Sequence, residues 1–164
     1  DGDKLMKRII CVICALAMCL SVCACGEKTQ KIDMYELQKS MVDADKSLPE
    51  MKISGSWDEN AEKAFSYISD MEYNKIHGFF LAYAADGMAY EIAVVQLKDK
   101  SDAAAMEESL NEHVQTRVQM YKTYEPEQVD RASGAKVETI GDCVLLIMCD
   151  SPQNVETAFK EFTK

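Results

Sequence analysis

The sequence predicts an α+β domain in which helices pack on a four-stranded antiparallel sheet made of two hairpins. Two pairs of apolar, strand-like runs are each joined by a turn of Asp and Gly, around Asp86–Gly87 and Gly141–Asp142. Around these hairpins, apolar residues recur every three to four positions, which is the periodicity of amphipathic helices. The predicted order is α-α-β-β-α-β-β-α, with the helices covering the sheet.

Two helices are predicted before the first hairpin. The first spans about residues 32–46 and ends before Pro49. Its buried face is expected to comprise Met34, Leu37 and Met41. In the second helix Ser56 precedes Glu59 by three residues, which is a capping-box pattern. The buried stripe expected there comprises Trp57, Ala61, Ala64, Phe65 and Ile68.

The first hairpin is predicted to pair residues 78–85 with residues 88–97 through a two-residue turn. That turn fixes the register, and we expect this face of the hairpin to lie in the core. The expected cross-strand pairs are Tyr83–Tyr90, Leu81–Ile92 and Phe79–Val94. The opposite face is also apolar and carries a single charge, Glu91.

A long helix over about residues 102–121 and a second hairpin complete the predicted fold. The inward face of the long helix is expected to comprise Met106, Leu110, Val114, Val118 and Tyr121. The second hairpin pairs residues 135–140 with residues 143–149, and glycine in first place suits a type II′ turn. A last helix follows, with Ser151 as its cap and Pro152 as its first residue. Its buried stripe is expected to comprise Val155, Ala158, Phe159 and Phe162.

Residues 1–24 have the pattern of a secretory signal peptide. A cationic start is followed by 14 almost wholly apolar residues from Ile9 to Val22, fewer than the about 20 that a membrane-spanning helix needs. Acidic residues 1–5 do not fit a signal, so we expect them to be foreign to the chain or to result from a start codon assigned too early, with Met6 as the initiator. Cys25 follows Val22, Cys23 and Ala24, an arrangement that resembles a bacterial lipobox.

We therefore expect cleavage before Cys25 and a diacylglycerol on its sulfur. Two or more acyl chains anchor a protein stably where one chain does not. Residues 25–31 would form a short lipidated tether and residues 32–164 a single domain on the extracytoplasmic face of the membrane. Cys23 fits less well as the lipid site because the bulky Val22 precedes it. An uncleaved signal anchor and an ordinary secreted product are the alternatives.

The charge of the chain argues against a nucleic-acid-binding protein, and the positions of its cysteines argue against a disulfide. Residues 1–24 hold three of the 18 basic and two of the 28 acidic residues, so the remaining 140 residues carry a formal charge of −11. Such a surface argues against nucleic-acid binding, which depends on Lys and Arg at phosphates. After the leader and Cys25, only Cys143 and Cys149 remain, and on one strand they lie about 20 Å apart, too far for a disulfide. We expect two buried thiols.

No catalytic, metal or cofactor motif was found in the sequence. His77 and His113 have no partner at metal-ligand spacing, and His113, beside the inward stripe of the long helix, is expected to be a core or boundary residue. Two charges stand out: Glu91 interrupts an apolar strand, and Arg117 lies at the margin of the inward stripe. We expect these two to form a structural ion pair, with a groove for a polar ligand as the alternative. No metal or cofactor is expected.

Several segments resemble a family of small lipoproteins from Gram-positive, Clostridia-type bacteria, domain of unknown function 4358. They are LPEM, AYEIAVVQLKDKSDAAAM, Arg117, YEP and CVLLIMCDSPQNVETAFKEF, and the resemblance covers roughly residues 34–162. The family commonly has Glu-Ile followed by apolar residues and lysine, as at Glu91, Ile92 and Lys98, and a glycine opening the last hairpin turn, as at Gly141. The chain reads YISD where the family usually has glycine after the tyrosine. The resemblance implies a location in the Gram-positive cell envelope and implies no activity.

The sequence thus indicates a lipid-anchored envelope protein that is a noncatalytic binding or interaction module. We expect the membrane to be one partner, through the lipid, and an envelope protein or a small ligand to be the other. The alternative is a cell-envelope hydrolase with a carboxylate site that the sequence does not identify. A solute-capturing transporter component is disfavoured, because 140 residues are too few for two lobes.

Overall fold

The computed structural model describes residues 30–164, which include a mixed α+β domain with an antiparallel sheet. The strands are β1 (Met51–Gly55), β2 (Ile76–Ala84), β3 (Glu91–Leu97), β4 (Lys136–Ile140) and β5 (Cys143–Met148). The α-helices are α1 (Met34–Asp43), α2 (Ala61–Phe65), α3 (Ala103–Tyr124), α4 (Val129–Ser133) and α5 (Pro152–Phe162). The predicted signal peptide and the lipid site Cys25 lie outside the described residues. Within 30–164, no helix is long and apolar enough to cross a membrane.

The sheet has five strands in the order β1-β2-β3-β5-β4, so the prediction of four strands and of the order α-α-β-β-α-β-β-α is wrong. The missed strand is β1, which pairs antiparallel with β2 along the edge of the sheet. Its sequence, MKISG, alternates apolar and polar residues over only four positions, and the burial of its residues does not follow that alternation. Short edge strands carry a weak pattern because only part of one face is buried.

The second predicted helix is also largely wrong. Ser56 is not a helix cap: it continues the β1–β2 pairing, since its Oγ accepts from the Phe79 amide at 2.7 Å and its own amide donates to the Phe79 carbonyl at 3.0 Å. Trp57 is exposed, and its ring lies against Gly55, where a Cβ atom would stand 2.3 Å from the ring. Only α2 is helical, and Phe65 and Ile68 are buried as predicted.

The register of the first hairpin differs from the prediction by one residue. Tyr83 pairs with Glu91, Leu81 with Ala93 and Phe79 with Val95. The connection is not a two-residue turn: it runs over residues 85–90, with Gly87 at φ 86°. Because side chains alternate along a strand, a shift of one residue moves each β3 side chain to the other face. Glu91 therefore lies on the same face as Leu81, not on the face opposite to it.

The second half of the fold follows the prediction more closely. The whole predicted inward face of α3 is buried, from Met106 to Tyr121. The second hairpin has the predicted two-residue turn, and its first turn residue, Gly141, has a positive φ of 66°, as a type II′ turn requires. Helix α5 begins at Pro152 as expected, but the Ser151 side chain makes no capping bond; instead Asp45 accepts the Ser151 amide at 3.2 Å.

Both faces of the sheet are buried, so the domain has two hydrophobic clusters. On the first face α2, α3 and α4 pack over alternate residues of β2, β3 and β5, such as Phe79, Val95 and Leu146. On the second face α1 and α5 pack over the intervening residues, such as Phe80 and Ile147. This layering explains why the central strands are apolar throughout rather than alternating.

Candidate functional site

A half-open cavity of about 370 Å³ lies on the first face of the sheet, lined by the α2 region, α3 and strands β1 to β3. Its volume is at the small end of the range of about 300–1,000 Å³ typical of ligand pockets. The strands contribute Ser54, Leu81, Tyr83 and Glu91. The helices and the turn after α2 contribute Ala64, Tyr67, Ile68, His113 and Arg117. We call this cavity the Glu91 pocket.

Glu91 opens strand β3 and is almost fully buried, with its side chain 4% exposed. A charge in such a position needs partners, because transfer from water to a protein interior without them is very unfavourable. Two side chains of α3 supply them. The Nε2 atom of His113 lies 2.7 Å from Oε1 of Glu91, and the Nε atom of Arg117 lies 3.6 Å from Oε2. Each carboxylate oxygen therefore faces one nitrogen of α3.

The partners of Glu91 belong to a single row along α3. His113, Arg117 and Tyr121 are spaced four residues apart, so they lie one above another on the same side of the helix. The Tyr121 hydroxyl accepts from Nη2 of Arg117 and donates to the Gly87 carbonyl at 2.9 Å. Burial raises the pKa of Tyr121, which keeps this hydroxyl a donor. The row thus connects α3 to the β2–β3 loop and holds Arg117 in place.

Arg117 has unused hydrogen-bonding capacity. Its Nε atom is buried and has no hydrogen-bond partner among residues 30–164, because 3.6 Å to Glu91 is within ion-pair range but too long for a hydrogen bond. Among residues 30–164, the hydrogen-bond acceptor of its Nη1 atom is the Met120 sulfur, at 3.9 Å, which is a weak acceptor. A guanidinium carries five N–H donors. Because Nε has almost no accessible surface, the donors of Arg117 that a ligand in the Glu91 pocket can reach are those of its Nη atoms.

Apart from Ser54, the rest of the lining is apolar or aromatic. Ile68 and Leu81 are buried residues of the first cluster, and Ala64 packs against it. The Tyr67 and Tyr83 side chains line the pocket and are also exposed, Tyr67 by 67%. A site with apolar walls, exposed aromatic residues and a few convergent polar groups is the usual composition of a small-molecule pocket.

A second, more open depression of about 230 Å³ adjoins the first and shares its Tyr67, Ile68 and His113. Its other lining residues are polar: Ser66, Ser69, Asp70, Ser109, Glu112 and Thr116. The hydroxyl of Ser109 donates to that of Ser69 at 2.9 Å, which joins α3 to the turn after α2. His113 therefore lies between an apolar pocket and a polar one.

The structure brings together the two charges that the sequence singled out. Glu91 and Arg117 are close enough for an ion pair, and both also line a pocket, so the two alternatives are not exclusive. The contact between His113 and Glu91 was not predicted from the sequence. The His113 side chain is 16% exposed, at a boundary position, and its four-residue spacing from Arg117 was the signal that could have identified it. Cys25 lies outside the described residues.

Within residues 30–164, no three His, Cys, Asp or Glu side chains are grouped so that they could hold a metal ion. The two cysteines there are both free. Cys143 is buried in the second cluster and Cys149 packs at its margin. Burial raises the pKa of the Cys143 thiol far above its usual value, and that of Cys149 to about 12. Both are therefore protonated and weakly nucleophilic at neutral pH.

Comparisons with curated proteins and with solved structures each gave no match. The sequence profile of one family, described as a domain of unknown function (DUF4358), matches residues 54–149, which is more than half of the chain. All nine residues that line the Glu91 pocket fall inside that range, whereas α1 and α5 fall outside it. On this match, the chain belongs to the DUF4358 family.

Proposed function

We propose that this chain is a noncatalytic binding module of the cell envelope, held to the extracytoplasmic face of the membrane by a lipid on Cys25, and that it binds a small ligand in the Glu91 pocket. The single observation that carries the proposal is the juxtaposition of apolar walls with the half-buried guanidinium of Arg117, whose Nη1 has only a weak acceptor among residues 30–164, in a cavity of about 370 Å³. Polar groups that converge on an apolar cavity are the common sign of a ligand site.

The geometry favours a small ligand over a large protein partner. A docking surface for a protein is typically a broad patch, whereas the Glu91 pocket is concave and bounded by helices on two sides. The acidic composition, with a net charge of −10, supports the exclusion of nucleic acid as a partner.

A cell-envelope hydrolase is the second candidate, and one observation favours it. Glu91 and His113 form a carboxylate–imidazole pair at 2.7 Å, and the Ser54 hydroxyl lines the same pocket. A triad would also need Ser54 within hydrogen-bond reach of the imidazole. A fluorophosphonate probe tests this function: labelling of the wild type that disappears in Ser54→Ala supports a hydrolase and contradicts the binding-only proposal. A glycosidase of the usual kind would need two facing carboxylates, and the lining of this pocket contributes only Glu91.

Ligand binding can be tested by filling the pocket. Ala64→Trp places a large ring in the cavity, and Ala104→Trp places the same ring on an exposed part of α3 as the matched control. In a fragment screen monitored by NMR, we expect fragments to shift resonances of Ile68, Leu81 and Arg117 in the wild type and in Ala104→Trp. Ala64→Trp should abolish these shifts. Fragments that bind elsewhere, or equally well to Ala64→Trp, would contradict the proposal.

Membrane attachment rests on the sequence of the leader and has its own test. In the native cell, metabolic labelling with palmitate should mark the wild type, and globomycin should block maturation, because the signal peptidase that cleaves prolipoproteins is its target. Label should be absent from a Cys25→Ser variant and retained in Cys23→Ser. Label that persists in Cys25→Ser would show that another residue is modified, and a released, unacylated product would remove the anchor altogether.

A further inference from the structure

We propose that the ligand of the Glu91 pocket has an uncharged hydrogen-bond-accepting head, such as an amide or ester carbonyl, and a compact apolar body. The head accepts from Arg117, and the body packs against Ile68 and Leu81. This inference rests on the proposed binding function and adds the chemical class of the ligand to it.

The donors of the pocket select for an acceptor. Within the described part of the chain, the Nη1 atom of Arg117 donates to a methionine sulfur, a weak acceptor, and the buried Nε atom has no hydrogen-bond partner. Nε has almost no accessible surface, so the ligand does not reach it; a carbonyl oxygen can instead accept from Nη1, whose present acceptor is weak. Tyr121 holds the guanidinium from the other side, so Arg117 need not reorganise to bind the head.

A cationic head group does not fit, because the carboxylate of the lining, Glu91, is already paired with His113 and Arg117. Oε1 of Glu91 faces His113 at 2.7 Å, and Oε2 faces Arg117 at 3.6 Å. An ammonium group would have to approach Glu91 past these two side chains, one of which is a permanent cation. Repulsion from Arg117 would offset most of the attraction to Glu91.

An anionic head is disfavoured by the same pair. A ligand carboxylate at Arg117 would lie close to Glu91, whose charge already balances the guanidinium. In a pocket that excludes much of the water this repulsion is poorly screened, and the carboxylate would also lose its hydration. The chain as a whole is acidic, with a net charge of −10. A neutral acceptor gains the hydrogen bond without meeting the like charge.

The walls and the volume restrict the body of the ligand. The surfaces of Ile68 and Leu81 are apolar, and the exposed tyrosines Tyr67 and Tyr83 can stack on a planar or apolar group. A cavity of about 370 Å³ has room for one ring or short chain in addition to a head group. A small amide, or a peptide carbonyl beside one apolar side chain, has this composition.

Three probes of nearly equal size and shape distinguish the head groups: phenylpropanamide, phenylpropanoate and phenylpropylammonium. Each is titrated by NMR into the isotope-labelled chain of residues 25–164. We expect the amide to bind at least about fivefold more tightly than either charged probe, because the ammonium probe cannot accept a hydrogen bond from Arg117 and the carboxylate probe would meet the charge of Glu91. Its shifts should centre on Arg117 and Leu81.

Two variants and a control test the assignment to Arg117. Arg117→Lys keeps the positive charge that Glu91 needs but loses the guanidinium donors, so amide affinity should fall about five- to tenfold. Arg131→Lys makes the same change outside the pocket, where Arg131 pairs with Asp150, and should leave the affinity within about twofold. Glu91→Gln removes the like charge and should strengthen binding of the carboxylate probe relative to the amide.

Each other outcome is informative. Tighter binding of the carboxylate or ammonium probe at the pocket would overturn the assignment of the head group and leave the binding function standing. Equal affinities, or an amide affinity unchanged in Arg117→Lys, would do the same. Failure of all three probes to shift any pocket resonance would contradict the proposed binding function itself.

Discussion

The ion pair between Glu91 and Arg117 gives a quantitative prediction about stability. The perturbation is Arg117→Met, which keeps most of the volume of the side chain and removes its charge. At an effective dielectric constant of about 20, unit charges 3.6 Å apart attract by roughly 4 to 5 kcal/mol. Removing one member of a buried pair typically costs about 3–5 kcal/mol, because the other charge is left buried.

Two features of the structure place this variant at the lower end of that range. The Arg117 side chain is 22% exposed, so water already screens part of the attraction, and His113 still faces the other oxygen of Glu91. We therefore expect Arg117→Met to lower the free energy of unfolding by about 3 kcal/mol. For a domain of this size that corresponds to a fall in Tm of roughly 10 °C.

The complementary variant, Glu91→Gln, should be milder. It leaves the partly exposed guanidinium able to reach water, and we expect a loss of about 1 kcal/mol. The double variant buries no uncompensated charge, so it should cost less than the sum of the two single changes, about 2 kcal/mol instead of about 4. The difference, about 2 kcal/mol, is the coupling free energy that we expect between Glu91 and Arg117.

Urea unfolding followed by the fluorescence of Trp57, the single tryptophan, measures these values. All four proteins should have the same m-value, since the surface exposed on unfolding does not change. Additive losses in the double variant, or a loss below about 1 kcal/mol in Arg117→Met, would refute the view that Arg117 stabilises a buried charge on Glu91.

Three further predictions concern other parts of the domain. Lys136 and Lys160 lower the pKa of Glu156 to about 2, so the stability that its carboxylate contributes is present above about pH 4.5 and is lost as the pH falls toward 2. In urea unfolding, Glu156→Gln should therefore lower the free energy of unfolding by about 1 kcal/mol at pH 7 and by little at pH 2. An equal loss at both pH values would be inconsistent with this pairing. The Cys149 thiol, with its pKa raised to about 12, should resist iodoacetamide at pH 8 in the folded protein and react in denaturant; rapid labelling of the folded protein would contradict its burial. Gly141 has φ 66°, so Gly141→Ala should lower stability by about 1 kcal/mol in thermal unfolding, and a neutral effect would mean that the turn is not type II′.

The pattern of the sequence predicts those elements of the fold whose signals are local. Helix α3 and the second hairpin are examples, because a four-residue apolar repeat and a two-residue Gly-Asp turn each depend only on neighbouring residues. The formation of strand β1, in contrast, depends on residues that are distant in the sequence. The strand forms because Ser56 and the residues before it pair with β2 more than twenty positions away, and the alternation within its five residues is too short to predict a strand alone.

The register of the first hairpin shows why the site could be predicted only in part. Both faces of β3 are apolar, so the alternation that would normally fix the register is missing, and Asp86–Gly87 suggested a tighter turn than the chain adopts. Glu91 was conspicuous as a lone charge, but its face and its contact with His113 depend on that register. The pocket itself arises from the distance between α2 and α3, which is a property of packing and not of any one motif.

The most direct test of the central claim is a crystal structure of the protein soaked with phenylpropanamide. The account predicts that the probe occupies the Glu91 pocket with its carbonyl oxygen within about 3.2 Å of Nη1 of Arg117 and its ring against Ile68 and Leu81. A probe bound only outside the pocket, or one whose ring lies at Arg117 while its amide points to solvent, would contradict it.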